Sequence, residues 1–514
     1  MACDGLRYNP RDRMAIRDDS EDLARFGYRQ ELTRTLGSFS SFAAGFSYLS
    51  ILTGLFQMFY LGFGAGGPAF VWSWPLVLGG QFLVALGFAE LAAHYPLSGG
   101  AYQWSKLTGS PRTGFVVGWI YLACLVVTLG AVALALQGLL PQIAPAFQVI
   151  GSLSDPTAGA VNAVLLGCAL ITLTTAFNAV RVTVLARVNN VGVVAELLGA
   201  LLLTALLWAF AVRTPADVFA AIPHGLSRGA LTPLLASALA ASYVFYGFDT
   251  AGSLAEETKS PRRNAPRAIL QALAAAGLLG YVLLLGAMMA APDLTSGQLG
   301  QINGGLPSIV TSTLGGTVGR ALLVNVTFAI VVCALAVHAS AVRLVYAMAR
   351  DGLLPYSPIL ASVSPVSKTP LVPVFIVGLA ATLILVANIN LPKLVELVSM
   401  IAALWANLAY LIVTALLVRR RLQGWPGGEG ETGYFSLGRW GLPVNLAALG
   451  WSAFMVVNIG WPRSAIYGEA WQHRFAPLML TTILVATAVV AAAFAYRRRV
   501  ALIAGAPSSA EAGL

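Results

Sequence analysis

The chain has 514 residues, of which 58% are hydrophobic and only 10% are charged, and its mean hydropathy is +0.77. Soluble domains carry about 25% charged residues, so this composition excludes a soluble enzyme, a nucleic-acid-binding domain and a secreted disulfide scaffold. The net charge of +10 therefore needs an explanation other than DNA binding. We expect the lipid bilayer to be the solvent of this chain.

The cysteines and the N-terminal segment offer no catalytic or metal chemistry. Three of the four cysteines lie inside apolar runs without the Cys-x-x-Cys or Cys/His spacing of metal sites, so neither a metal site nor a disulfide framework is expected. The first 37 residues hold seven arginines and seven acids but no apolar core of a cleavable signal. Residues 20–37 are predicted to form an amphipathic helix on the membrane surface.

Apolar stretches of about 20 residues, the length that crosses a ~30 Å hydrocarbon core, occur twelve times. We therefore predict an all-α membrane protein with twelve transmembrane helices. A Gly-rich amphipathic stretch, 294–319, follows the seventh span and is predicted to form one or two surface helices. The predicted spans are residues 38–63, 70–94, 114–140, 160–178, 188–212, 231–255, 267–291, 319–346, 371–389, 393–418, 441–461 and 475–496.

Basic residues are distributed unequally between the two sides of this topology. Of the 31 lysines and arginines, 25 lie in the two tails and in the loops on the same side as the tails, and 6 lie in the opposite loops. Because positively charged loops remain in the cytoplasm, both termini are predicted to be cytoplasmic. We expect a multi-pass protein of the plasma (inner) membrane, whose basic pI of 9.6 reflects its topology rather than a nucleic-acid partner.

The first and sixth spans contain glycine and polar residues where a helix in lipid should be continuously apolar. A helix break exposes N–H and C=O groups that cost several kcal/mol each in lipid, so paired breaks predict a substrate site. Five spans separate the two segments, so they cross the membrane in opposite senses and predict an inverted repeat. The residues expected to bind substrate are Gly45, Phe46, Ser47, Tyr48, Tyr243, Phe245, Tyr246, Gly247, Phe248 and Asp249.

Free N–H groups at the start of each half-helix would bind a carboxylate, and free carbonyls would bind an ammonium or a coupling cation. The aromatic walls would suit a small zwitterion or a cation–π contact. The alternative is that Gly45 and Gly247 only permit close packing of helices, since glycine is common in membrane helices.

Four segments, in the same order along the chain, resemble the amino acid–polyamine–organocation superfamily and most closely its amino acid/choline/GABA permease branch. They read GYRQEL at 27–32, ELAAHYPLSGGAY at 90–102, GFDTA at 247–251 with EET at 256–258 and PRR at 261–263, and RLVYAMARDG at 343–352. The resemblance implies a LeuT-like fold, in which spans one to five and six to ten form inverted repeats and the last two spans are peripheral.

The resemblance gives the chain its expected organisation. It implies a cytoplasmic tail at 1–37, a first repeat at 38–212, a second repeat at 231–418, peripheral spans at 441–496 and a cytoplasmic tail at 497–514. It also implies secondary transport of a small amine or amino acid, with Tyr243 similar to an outer gate that closes over the substrate. The chain has no Walker A segment, so gradient coupling is expected and no cofactor.

Two acidic residues are candidates for ion or proton coupling. A carboxylate near the bilayer centre is functional by default, so Asp249 would pair with a substrate ammonium or carry a proton; the alternative is an N-cap of the helix that restarts after Gly247. Glu196, in the fifth span, falls where several relatives carry a lysine in a sodium-like site. It would couple uptake to H⁺ or bind Na⁺, with Ser340 as a further ligand, unless it only bonds Asn190 or reaches the membrane surface.

Charged residues at the predicted cytoplasmic helix ends are candidates for an inner gate. Ion pairs among them would open when the helix bundle rocks, although solvated surface charge is the alternative. These residues are Glu90, Glu256, Glu257, Arg343, Arg350 and Asp351.

We therefore predict a permease that imports an amino acid, a GABA-like compound or a related small amine by proton symport through alternating access. The alternatives are an exchanger or a Na⁺-coupled symporter of the same fold, a polyamine or choline carrier, or a non-transporting sensor. The expected partners are the small substrate and the lipid bilayer, and the chain is expected to be a monomer or a homodimer and not an enzyme.

Overall fold

The computed structural model describes residues 23–151, 156–180, 182–220, 228–387, 389, 393–427 and 434–504. Most of the predicted N-terminal tail, 1–22, and the end of the predicted C-terminal tail, 505–514, lie outside the described residues.

Within these ranges every regular element is helical, apart from an isolated parallel bridge between Leu36 and Thr258. The helices of eight residues or more are α1 (Ser38–Leu49), α2 (Ile51–Gly66), α3 (Phe70–His94), α4 (Ala101–Thr108), α5 (Pro111–Leu134), α6 (Pro156–Asn178), α7 (Val182–Ala209), α8 (Arg228–Val244), α9 (Pro261–Ala290), α10 (Gly305–Leu314), α11 (Gly316–Arg350), α12 (Leu371–Ala387), α13 (Leu394–Leu422), α14 (Gly441–Gly460) and α15 (Ala476–Ala504). Shorter α-helices are Leu140–Ile143, Pro215–Ala220, Thr250–Ser253, Ser357–Leu360, Ser464–Tyr467 and Trp471–Arg474, and 3₁₀ turns are Gly67–Ala69, Ala135–Gly138, Pro145–Phe147, Ala255–Glu257, Gly297–Gly300 and Gly438–Trp440.

Nine helical stretches of the described chain are long and apolar enough to cross a membrane, judged by length and composition. The longest runs from Ser38 to His94 and contains helix boundaries at Ser50 and Gly67. Two shorter apolar helices, Leu231–Val244 and Leu371–Ala387, add to this set. The chain is therefore built as a multi-pass membrane protein.

The helix bounds follow the predicted apolar stretches closely. Helix α3 has the bounds predicted for the second stretch, and α6 ends at the predicted residue. Helix α9 begins six residues earlier than predicted, because Pro261 at its first position starts the helix ahead of the apolar run. The stretch predicted as surface helix contains α10, which buries Leu306, Ile309 and Val310, so one face of it packs into the protein.

Helices α2 and α8 pack closely side by side and run antiparallel. A Cβ at Gly54 would lie 2.8 Å from the side chain of Val244, near the end of α8. At the other end of α2, a Cβ at Gly66 would lie 2.7 Å from Cβ of Ser237 and 2.9 Å from the carbonyl of Pro233. Contacts that run forward along α2 and backward along α8 establish the antiparallel orientation, and the missing side chains of Gly54 and Gly66 allow the close approach.

The predicted amphipathic helix at 20–37 is wrong for the residues that the structure describes. Helix is present only at 23–25, and residues 28–36, here named the N-terminal strap, are non-helical. Leu36 pairs with the segment after the second helix break, since the N–H of Leu36 donates to the carbonyl of Glu257 and its own carbonyl accepts from Lys259 N, each at 2.9 Å. Backbone pairing with another segment replaces the hydrogen bonds that a surface helix would have made internally.

Candidate functional site

The sixth predicted span breaks where the sequence predicts. Helix α8 ends at Val244, a short helix resumes at Thr250, and Gly247 between them has a φ of +90°. A Cβ at Gly247 would lie 1.8 Å from Cε1 of Tyr48, so both the backbone conformation and the close approach of Tyr48 require glycine there. The break therefore brings the segment directly against the first predicted span.

The first predicted span breaks five residues later than expected. Gly45 lies inside the continuous helix α1, and a Cβ there would lie 3.3 Å from Cβ of Ala272, so close packing against α9 accounts for this glycine. The break is at Ser50, a non-glycine residue with φ of +31°, which separates α1 from α2. The prediction of a break at Gly45 is therefore wrong. The positive φ of Ser50 is stabilised by a partner that is distant in sequence, so the local sequence does not identify Ser50 as the position of the break.

That partner is Glu196 of α7, whose side chain is 1% exposed. Its Oε1 atom lies 2.9 Å from the hydroxyl of Ser50 and accepts a hydrogen bond from the N–H of Leu52 at 3.2 Å. Asn190, the alternative partner expected for Glu196, instead donates to Ser40 at 3.0 Å. The carboxyl group of Glu196 thus sits at the start of α2, within the first break.

Ser340, expected as a further ligand beside Glu196, has its hydrogen-bond partners at the second break and within α11. Its hydroxyl contacts Oγ1 of Thr250 at 3.4 Å and donates to the carbonyl of Ala336 at 2.9 Å. Ser340 therefore joins α11 to the short helix after the second break, and its hydrogen bonds do not involve Glu196.

Asp249 lies at the second break and is 0% exposed. Its Oδ1 atom accepts hydrogen bonds from the hydroxyls of Tyr121 and Tyr410, each at 2.6 Å. Tyr410 also accepts from the N–H of Gly247 at 2.8 Å, so one tyrosine fixes both the backbone of the break and its carboxylate. The side chain of Asp249 makes no capping bond to the helix that follows, and its Oδ2 atom has no partner among the described residues.

Three tyrosines form an aromatic wall beside the breaks. The ring of Tyr246 meets the ring of Tyr48 edge-on at 6.0 Å and that of Tyr243 at 5.7 Å. Their polar atoms reach neighbouring helices, since Tyr246 lies 2.8 Å from Thr128 and Tyr243 donates to Oε1 of Gln57 at 3.2 Å. These rings supply apolar area, and the hydroxyls of Tyr243 and Tyr246 hold the wall in place.

The other predicted binding residues pack away from this wall. Phe46 stacks on Phe42, and Phe245 meets Trp74 edge-on at 4.7 Å. Phe248 packs on the ring of Tyr410 at 5.1 Å. Ser47 is buried within α1.

Four residues of the site are absent from the sequence prediction: Gln57, Tyr121, Thr128 and Tyr410. Each is a polar side chain inside an otherwise apolar helix, which is the signal that could have identified it. A buried polar group in lipid requires a partner. Tyr121 and Tyr410 bond Asp249, Thr128 contacts Tyr246, and Gln57 bonds Tyr243 and the carbonyl of Ala131.

Four of the six predicted gate residues form two buried ion pairs. Arg343 contacts Glu257 through two nitrogens, at 2.8 and 3.2 Å. Arg350 contacts Glu256 through two nitrogens, both at 2.8 Å. These pairs join α11 to the segment that follows the second break, so the predicted pairing is present in the structure.

The remaining two gate residues have partners outside the predicted set. Asp351 accepts from Nζ of Lys106 at 2.6 Å and from the hydroxyl of Tyr28 at 2.8 Å. Glu90 pairs with Arg421 and accepts from the N–H of Leu437 at 3.0 Å. Glu90 therefore fastens α3 to the loop after α13, and Asp351 fastens α11 to α4.

The N-terminal strap covers these ion pairs. Tyr28 lies under the guanidinium of Arg350, 4.1 Å from its ring centroid, and Gln30 donates to the carbonyl of Glu256 at 3.0 Å. Glu31 accepts from the hydroxyl of Tyr346 at 2.6 Å. Burial, and then the negative charge of Asp351, raises the pKa of Tyr28 above its usual value of 10.0.

Known proteins resemble this chain over most of its length. A family model described as amino acid permease matches residues 36–493. The amino-acid permease BAT1 of Arabidopsis thaliana is 26% identical over 86% of this chain and 88% of its own length. The methylthioribose transporter of Bacillus subtilis is 29% identical over 74% of this chain and 80% of its own length.

A third relative is the low-affinity putrescine importer PlaP of Escherichia coli, which is 25% identical over 76% of this chain and 83% of its own length. The family is made up of permeases that span the membrane several times. With the family model matching nearly the whole helical region described above, this chain belongs to the amino acid permease family, within the amino acid–polyamine–organocation superfamily.

Proposed function

We propose that this chain is a secondary active permease that imports an amino acid, a GABA-like compound or a related small amine by proton-coupled symport through alternating access. The observation that supports this most directly is the pair of helix breaks, at Ser50 and at Gly247. They adjoin the antiparallel helices α2 and α8, and each has a buried acid beside it, Glu196 of α7 at the first break and Asp249 at the second. Breaks of this kind in membrane helices are tolerated where they line a binding site.

The proposed architecture is twelve spans arranged as two inverted repeats, 38–212 and 231–418, with peripheral spans in 441–496. The helical stretch Ser38–His94 has 57 residues, a length of about 86 Å at 1.5 Å per residue. That exceeds the ~30 Å hydrocarbon core severalfold, so it supports two crossings rather than one. The antiparallel packing of α2 on α8 is the relation that inverted repeats would give their first helices.

Glu196 and Asp249 are the proposed coupling acids. Each is buried, lies at a helix break and has one carboxyl oxygen without a partner among the described residues. A proton on Glu196 would change its hydrogen bonds with Ser50 and Leu52, and would thereby link protonation to the geometry of the first break. Ser340, bonded to Thr250 beside the second break, would respond to the same movement or serve a Na⁺ ion instead. The energy source is an ion gradient, with no cofactor.

The ion pairs Arg343–Glu257 and Arg350–Glu256 are the proposed inner gate. Both connect α11 to the segment after the second break, so a rocking movement between these elements would have to separate them. Glu90 and Asp351 would hold neighbouring loops to the same side. The outer gate is proposed to be Tyr243, whose ring packs against Tyr246.

The substrate and the cellular setting are part of the same proposal. The relatives are named for amino acids, methylthioribose and putrescine, so a small molecule with an amine or hydroxyl groups is the expected cargo. The charge distribution in the sequence supports cytoplasmic termini in the plasma (inner) membrane. A monomer or a homodimer would be sufficient, because both breaks belong to one chain.

Uptake into proteoliposomes tests this proposal. Purified protein would be reconstituted and supplied with labelled amino acids, GABA, choline, polyamines and methylthioribose under an imposed inward H⁺ or Na⁺ gradient. We expect H⁺-driven accumulation that is lost in Glu196→Gln or Asp249→Asn. Uptake only into vesicles preloaded with unlabelled substrate would indicate an exchanger. Uptake driven by a Na⁺ gradient would identify Na⁺ rather than H⁺ as the coupling ion. A lack of flux for every compound would favour a sensor.

A further inference from the structure

The start of α2 is the place where a helix N-terminus would attract a substrate carboxylate. In this chain that place is occupied by a side chain of the protein itself. Oε1 of Glu196 accepts from the N–H of Leu52 at 3.2 Å and contacts the hydroxyl of Ser50 at 2.9 Å. The next N–H, that of Thr53, donates to the Ser50 hydroxyl at 3.3 Å. The first break therefore has a resident carboxyl group.

The second break also provides a carboxyl group. Asp249 is buried with its Oδ2 atom free of partners among the described residues, while the N–H of Gly247 is already bonded to Tyr410. A substrate carboxylate placed at this break would lie against Asp249 and be repelled by it. An ammonium group at the same place would be attracted.

The helical segments that contribute the residues of the site carry no basic side chain, and Arg343 of the neighbouring α11 is already paired with Glu257. The sequence has no lysine or arginine within 38–66, 113–134, 188–212, 229–257 or 394–418, which are the segments that contribute the breaks, Glu196, Tyr121 and Tyr410. The C-terminal end of α1, which ends at the first break, adds the partial negative charge of its carbonyls. The charge at the centre of the site is therefore suited to a cation.

Resting on the proposed function, we infer that Glu196 takes the place of a substrate carboxylate and that the permease selects small cationic amines that lack a carboxylate. The ammonium group binds Oδ2 of Asp249. The rings of Tyr48, Tyr243 and Tyr246, which pack edge to face beside the breaks, form an aromatic wall that favours a cation. Glu196 is in this way a specificity-determining residue that excludes amino acids.

Matched pairs that differ only in the α-carboxylate test this selectivity. The purified protein would be titrated with putrescine and ornithine, isobutylamine and valine, and phenethylamine and phenylalanine, with the shift in thermal unfolding as the readout of binding. Uptake of the labelled form of each compound into proteoliposomes would follow. We expect the amine of at least one pair to bind and be taken up at least tenfold better than its amino acid partner.

Two substitutions at one position then test the role of Glu196. Glu196→Gln keeps an oxygen that accepts from Leu52, so the amine preference in binding, measured as the shift in thermal unfolding, should remain within about threefold of its value in the parent although coupled uptake is lost. Glu196→Ala frees that N–H, so the preference should fall at least tenfold as the amino acid partner gains affinity. Because the parent protein is already compared across each pair, the test remains decisive if Glu196→Ala does not fold.

The outcomes separate this inference from the proposed function. Preference for the amino acid member in every pair, or an unchanged preference in Glu196→Ala, would overturn the inference. Either result would still be compatible with the proposed permease function. If neither the pairs nor methylthioribose were bound or taken up, the proposed function would fail, and the inference with it.

Discussion

The hydroxyl groups of Tyr121 and Tyr410 both lie 2.6 Å from one oxygen of Asp249, although 289 residues separate the two tyrosines in sequence. Two donors on Oδ1 fix the orientation of the carboxylate and leave Oδ2 without a partner among the described residues. Helices α5 and α13 thereby take part in the second break without being broken themselves.

Replacement of these tyrosines should separate their roles. Tyr410→Phe removes a donor to Asp249 and also the acceptor of the Gly247 N–H, which would be left buried and unpaired. We expect an unfolding free energy lower by about 1–3 kcal/mol and uptake reduced at least tenfold. Thermal unfolding in detergent and uptake into proteoliposomes are the measurements.

Tyr121→Phe is the matched control, because it removes a donor to the same oxygen and leaves the bond between Tyr410 and Gly247 intact. Its loss of thermal stability should be smaller than that of Tyr410→Phe. Equal losses in the two variants would contradict the assignment of a backbone role to Tyr410.

The two glycines first compared in the sequence should respond differently to alanine. Gly247→Ala places a Cβ 1.8 Å from the ring of Tyr48 at a φ of +90°, a strain of about 1–3 kcal/mol for the backbone alone. We expect Gly247→Ala to abolish uptake and to lower the melting temperature. Gly45→Ala lies in a regular helix and meets Cβ of Ala272 at 3.3 Å, with Cβ of Ala251 and the carbonyl of Phe248 in ordinary contact at 3.8 Å, so most of the uptake should remain. A greater effect at Gly45 would be inconsistent with a break at Ser50.

The ion pair between Arg343 and Glu257 should contribute strongly to stability. The side chains are 3% and 2% exposed, and removal of one partner of a buried pair costs about 3–5 kcal/mol. Arg343→Gln should therefore destabilise the protein by that amount in thermal or denaturant unfolding. The double variant Arg343→Gln/Glu257→Gln should recover part of the loss, since no unpaired charge remains.

Arg29→Gln provides the control for this pair, because the side chain of Arg29 is exposed and its replacement should change stability by less than about 0.5 kcal/mol. A loss in Arg343→Gln no larger than that of Arg29→Gln would show that the buried pair adds little.

Alkaline pH should loosen the N-terminal strap. The pKa of Tyr28 is raised above 10.0 in the docked strap, whereas a detached Tyr28 would ionise near the ordinary value of 10.0. Docking is therefore fully stabilised below pH 10.0 and weakens as the pH rises above it. Spin labels at the exposed positions Thr33 and Tyr356 would report the distance between the strap and the loop after α11. We expect the docked distance to keep its population up to about pH 10 and to lose it as the pH rises further.

The same measurement in a Tyr28→Phe background identifies the titrating group. This variant retains Lys106 and Asp351 but has no phenol to ionise, so the population of the docked distance should no longer depend on pH in this range. A pH dependence that persisted in this variant would refute the role of Tyr28.

The sequence predicts those features that depend on local chemistry. The helix bounds follow from apolar runs that end at proline, glycine or charge, and the break at Gly247 follows from a glycine flanked by aromatic residues and an acid. The sequence predicts that Arg343 and Arg350 form ion pairs, although it does not assign their partners. Charges at the same ends of neighbouring helices have few other partners in a membrane.

The features that depend on distant partners could not be predicted. Ser50 adopts a positive φ because Glu196, 146 residues away, accepts from the break, and nothing around Ser50 distinguishes it from the nearby Ser47. Tyr121 and Tyr410 look like ordinary membrane-helix aromatics until the fold places them on Asp249. The partner of Glu90 is Arg421, which lies in the last turn of α13 and is one of three consecutive arginines.

A helix break that is satisfied by the side chain of Glu196 needs no cargo to satisfy it. The donors at the start of α2 have partners within the chain itself, which avoids the energetic penalty of bare N–H groups in lipid. In the proposed transport cycle, a break satisfied in this way would let the carrier reorient without a return load. Net accumulation in the cell, rather than one-for-one exchange, would follow.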